Sequence, residues 1–178
     1  MNLALLQNLM SGAGSSAKFF GGLIVALLYA VIGLLSAIGS IFIFRQIFKG
    51  RWEQIFWASF LVVIAAFYLS FCAYFQASTY AWKTELAGVV VFIICAGVGL
   101  FFRPAIALGY LLHGIWDLSH SLSDSSIAGL SLTEIPLGYD IFCLFYDVTV
   151  AYYIMKSNTA WQEPGKLDLL FWRSVFKV

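Results

Sequence analysis

Two histidines and several aspartates stand where an apolar chain has least use for them. His113, Asp117 and His120 follow one another at spacings of four and three in "HGIWDLSH". A helix advancing about 100° per residue brings all three into a sector of roughly 60° on one face. Further on, "DIFCLFYD" carries the reverse pattern: Asp140, Cys143 and Asp147 are spaced three and four apart. If the two segments are antiparallel neighbours, His120 meets Asp140 at one end, His113 meets Asp147 nearer the middle, and Asp117 lies level with Cys143 and Leu144.

Two imidazoles with two or three carboxylates form a donor set suited to a divalent metal, zinc or iron, or to manganese. Helix-borne ligands at i, i+3 and i+4 can hold one ion from one face. His113, Asp117, His120 and Asp147 are the candidate metal ligands, with Asp140 as a further ligand or the catalytic base. Such an ion keeps an open position and activates water or oxygen. The same groups could instead carry protons, since chains of Asp and His line many pumps and transporters. The alternative without a ligand is a hairpin closed by pairs such as His113–Asp117 and His120–Asp140.

The solvent around these groups follows from composition. Of 178 residues, 62% are hydrophobic and only 11% charged, against about 25% charged in a soluble domain. A water-soluble fold of this size would expose large apolar patches, so the bilayer is the expected surrounding. Each intramembrane acid then costs on the order of 2.5–3.5 kcal/mol if isolated, which makes such residues functional candidates by default. The net charge of +1 offers no basic face for nucleic acid. Cys72, Cys95 and Cys143 lie in apolar runs without a CxxC pair, so neither a disulfide framework nor a zinc ribbon is expected. There is no Gly-rich phosphate loop and no G-x-S-x-G.

The elements that must position the pattern are helices. Stretches at about 19–44, 54–75, 86–102, 104–122 and 138–155 are apolar and long enough, or nearly so, to cross a core of roughly 30 Å. The expected fold is all-α: a single transmembrane domain over 1–178 with about five membrane-spanning helices and short amphipathic terminal helices. One of these is an interfacial helix at 2–10, read as such and not as a cleaved signal. The other is a tail at 166–178, after Pro164–Gly165, expected either to lie on the cytoplasmic leaflet or to dock on a partner. Arg45, Lys49, Arg51, Arg103, Lys156, Lys166, Arg173 and Lys177 alternate onto one side. This predicts an outside N-terminus and a cytoplasmic C-terminus. Gly22, Ala26, Ala30, Gly33, Ala37 and Ser40 form a small-residue face on the first span, suited to close helix packing. Internal packing is favoured over contact with a second copy or another membrane protein.

On "HGIWDLSH" and the later "PLGYDIFCLFYD", the chain resembles a loose group of uncharacterised small bacterial multi-pass membrane proteins. Those carry a histidine–tryptophan–aspartate–histidine helix followed by a Pro…Phe-Cys…Asp helix. The matching positions are His113, Gly114, Trp116, Asp117, His120, Pro136, Phe142, Cys143 and Asp147. The resemblance covers about 104–155 and implies a bacterial inner-membrane protein. It departs at Ser121, where the group often has another histidine.

The sequence therefore points to a membrane protein with an intramembrane His/Asp site between its fourth and fifth spans. The leading expectation is a bound metal, with metal-assisted hydrolysis or oxidation of a lipid-like substrate if the protein is an enzyme. The competing expectations are an accessory or assembly subunit of a larger membrane complex and a proton-coupled transporter.

Overall fold

The computed structural model describes the backbone of residues 3–122 and 131–157, and the side chains of residues 19–121 and 131–157. The expected amphipathic tail at 166–178 and most of the loop before the fifth span lie outside the described residues. Five helices follow one another: α1 (Leu3–Ile47), α2 (Arg51–Tyr74), α3 (Thr79–Gly99), α4 (Pro104–Leu122) and α5 (Tyr139–Lys156). Among the described residues there is no strand. The protein is an all-α membrane helical bundle.

Three segments are long and apolar enough to cross a bilayer: Phe19–Ile47, Arg51–Tyr74 and Thr79–Gly99. Helices α4 and α5, of 19 and 18 residues, would span about 27–28 Å at 1.5 Å per residue. They fall short in composition because they carry the histidines and aspartates of the candidate site.

The burial pattern is that of a protein dissolved in lipid. Large apolar side chains such as Ile94, Leu108, Ile115 and Val148 point outward, while Glu85, His113, Asp117 and Asp147 are buried. Lipid solvates the former readily and the latter hardly at all, so ionisable groups in a bilayer turn toward the bundle interior.

Where helix ends differ from expectation, the causes are local. Helix α1 is continuous for 45 residues. Residues 3–10 thus run straight into the first span and are not set apart as an interfacial helix, since "MSGAGSSAKF" holds no proline to stop the backbone. Helix α3 begins at Thr79, well before the expected 86. Ser78 caps it by accepting a hydrogen bond from the Ala81 amide at 3.2 Å, which satisfies one of the free N–H groups of a first turn. Gly138 takes φ +74° just before α5, a conformation glycine adopts at little cost.

Helix α4 is central. It packs on α5, α3 and α2, while α5 lies between α4 and α1. The apolar core joins Trp57, Leu61 and Ala65 of α2, Phe92 of α3, Ile106 and Tyr110 of α4, and Val150 and Ile154 of α5. The small-residue face of α1 is used internally where Ala30, Gly33 and Ala37 are buried. A Cβ on Gly33 would collide with the Phe142 backbone carbonyl, so glycine here sets how closely α1 approaches α5.

Polar contacts mark the two ends of the bundle. At one end the Gln54 side chain donates to the Gly99 carbonyl at 2.7 Å, and the Tyr153 hydroxyl donates to Glu53. At the other end Ser78 and Ser131 face each other at 3.3 Å.

Candidate metal centre

Helices α4 and α5 run antiparallel in the expected register. At Gly114 the absent side chain lets Leu144 come close: a Cβ there would lie 3.2 Å from Leu144 Cδ1 and 3.7 Å from Asp147 Cβ. His113 and Asp147 therefore meet at the middle of their helices. His113 Nδ1 is 2.8 Å from Asp147 Oδ2 and 3.1 Å from Asp117 Oδ2. The three residues are 0%, 1% and 0% exposed, respectively. One ligand atom from each lies within 4.8 Å of the other two. From α2, the Tyr68 hydroxyl donates to Asp117 Oδ1.

This cluster has more acceptors than donors. His113 Nδ1 carries at most one hydrogen, and two carboxylate oxygens compete for it. Asp147 Oδ2 makes the hydrogen bond, while Asp117 Oδ2 is buried without one. The other ring nitrogen, His113 Nε2, is also buried without a hydrogen bond. Its ring lies edge-to-face with Phe92, centroids 5.1 Å apart. Among the described residues, His113 is the only basic partner of either aspartate. Two buried carboxylates thus share one imidazole and one phenol, and the three residues could hold a metal ion.

His120 and Asp140 belong to different surroundings. His120 lies one heptad beyond His113, about 10 Å further along the helix. Its Nε2 is 2.9 Å from Glu85 Oε1, and its Nδ1 is 2.8 Å from the Trp116 carbonyl. Glu85 also accepts from Trp116 Nε1 at 3.1 Å and from the Thr133 amide at 3.0 Å. Here both ring nitrogens and both carboxylate oxygens have partners. The Tyr68 ring stacks on His120 with centroids 4.5 Å apart and planes 17° from parallel. Ser121 donates to Asp140. His120, Ser121 and Asp140, together with Ala26, Tyr29 and Thr133, line a cleft of about 770 Å³ between α1 and the 131–141 segment.

The structure thus brings His113, Asp117 and Asp147 together and places His120 with Glu85 and Asp140 with Ser121. Sequence reasoning missed Glu85 and Tyr68. The signal for Glu85 was Ser78, a cap that draws the acid inside α3. Tyr68 sits in an apolar run with nothing in its spacing to single it out. Trp116 serves Glu85, and Tyr110 donates to the Trp57 carbonyl at 3.0 Å.

A family model described as a family of unknown function, DUF6010, matches residues 28–160. The match contains α2 through α5 entire, and the chain belongs to this family. No curated protein and no solved structure matches the chain.

Proposed function

We propose that this member of the DUF6010 family binds a divalent metal ion between α4 and α5, with His113, Asp117 and Asp147 as its protein ligands. The observation that carries the reading is the buried acceptor excess. Asp117 Oδ2 lacks a hydrogen bond, and His113 Nδ1 is contested by two carboxylates. A cation in place of the Nδ1 proton would satisfy all three groups at once. The nitrogen–oxygen separations of 2.8 and 3.1 Å are close to the roughly 3.3 Å edge of a tetrahedron with bonds of 2.0–2.1 Å. Three protein ligands leave a fourth position open, as catalytic zinc sites do. Nitrogen and oxygen donors suit zinc or iron.

An ion at mid-height in the bilayer would act on a molecule that arrives through lipid, by metal-assisted hydrolysis or oxidation. Asp140, expected as the base, lies one heptad from Asp147 and is held by Ser121, so it would line the approach at the cleft. His120 would be fixed by Glu85 and would border the approach without ligating the ion. In this reading all five helices cross the bacterial inner membrane, with the cleft on the outer side and the end bearing Arg45, Arg51 and Arg103 in the cytoplasm.

One further proton shared by Asp117 and Asp147 would also relieve the excess, which keeps proton-coupled transport as the second reading. Elemental analysis decides between them. The protein is purified in mild detergent without chelator, wild type beside His113→Ala and Glu85→Gln. Near-stoichiometric metal in the wild type and none in His113→Ala is the expected result, Glu85→Gln reporting how far the His120 pair supports the site. A wild type free of metal would sink the metal reading and leave the proton.

A further inference from the structure

We propose that Tyr68 is a positioning residue of the cation site, fixing Asp117 for the ion from a third helix. The inference rests on the cation reading above. Tyr68 is 1% exposed, and its hydroxyl donates to Asp117 Oδ1. An ionised carboxylate only accepts, so this contact holds one oxygen and leaves the other, Oδ2, turned to His113. Oδ2 is the oxygen without a hydrogen bond. An ion beside His113 and Asp147 therefore takes Asp117 through a single oxygen, with the second kept by the phenol.

The phenol is held in turn. One face of its ring lies on the His120 imidazole, which is fixed by Glu85 and the Trp116 carbonyl. The Phe71 ring meets Tyr68 edge-on at 6.0 Å, and the His113 ring is 5.8 Å away. A ring enclosed on these sides cannot swing its hydroxyl off Asp117 without moving His120. The Glu85–His120 pair thus steadies the neighbouring cluster through Tyr68, which touches both His120 and Asp117. Partners that orient metal-binding carboxylates commonly tune affinity about 10–100-fold.

Tyr68→Phe separates the two roles of this side chain, since it keeps the stacking ring and removes the hydroxyl. Tyr110→Phe is the control: it deletes an equally buried phenol whose partner is the Trp57 carbonyl. Two readouts are taken on full-length protein in nanodiscs. One is zinc titration after chelator stripping. The other is nitrogen-15 NMR of the metal-free, histidine-labelled protein, in which the two histidines of the chain give two ring systems.

Tyr68→Phe is expected to weaken zinc binding about 10–100-fold, to shift the His113 ring signals and to leave those of His120 in place. Tyr110→Phe should do none of this. His113 signals unmoved in Tyr68→Phe, or equal zinc loss in both variants, would overturn the positioning role. A wild type that takes up no zinc would overturn the cation reading instead, and the His113 shift would still decide whether Tyr68 holds Asp117.

Discussion

His113 and His120 lie on one face of one helix, yet their chemical situations are opposite. His120 and Glu85 form a buried pair in which both ring nitrogens and both carboxylate oxygens have partners. His113 sits between two carboxylates, of which Asp117 keeps one oxygen without a donor. The contrast predicts stability changes of opposite sign. Glu85→Gln breaks a buried pair by removing one partner, a change that costs about 3–5 kcal/mol. Asp117→Asn alters the carboxylate whose Oδ2 has no donor in the metal-free protein, so its metal-free stability should hold or rise while metal retention is lost. Asp147→Asn should lose metal as well. Thermal unfolding in detergent, with elemental analysis of the same samples, reads both effects, and normal metal content in both aspartate variants would refute the ligand assignment. The meeting of His113 with Asp147 was legible in the sequence because two mirrored spacings on antiparallel helices have one register that matches them. Glu85 and Tyr68 were not legible, since each is a single residue on a separate helix and periodicity carries no information about contacts between distant segments.

The elements were more readable than their ends. Apolar runs located the helices, and Pro104 fixed the start of α4. The start of α3 was missed because its first two turns, "TYAWKTE", are too polar to read as membrane, although Ser78 caps them. In a bilayer the composition of a run marks how deep it lies, while capping marks where the helix begins, and the two need not coincide. The approach of α1 to α5 depends on a missing side chain. Gly33→Leu would drive a Cβ into the Phe142 carbonyl, and overpacking of this kind costs about 1–3 kcal/mol. The expected outcome is a lower melting temperature with unchanged metal content, since α1 contributes nothing to the His113 cluster. Loss of metal in this variant would mean that the packing of α1 reaches the site after all.

At the scale of the molecule, composition made the bilayer legible, and the structure agrees in placing its acids inward and its aliphatic side chains outward. The contacts of Gln54 with Gly99 and of Tyr153 with Glu53 gather the helix ends bearing Arg45, Lys49, Arg51, Arg103 and Lys156 at one end of the bundle. If that end is cytoplasmic, an impermeant maleimide applied to intact cells should label Glu134→Cys and spare Lys49→Cys. Labelling of Lys49→Cys alone would invert the orientation. The helix order also bears on how the protein is made. Helix α5, last of the five to leave the ribosome, is the partner of both α4 and α1. Until it arrives, α4 holds His113 and Asp117 with only α2 and α3 to shield them, and α1 waits in lipid with its glycine face uncovered. Helices α4 and α5 are less apolar than the three before them. If they too cross the bilayer, they would enter best as one hairpin, each supplying polar contacts that the other lacks, and the residues of the site would make the arrival of α5 the step that commits the chain to its fold.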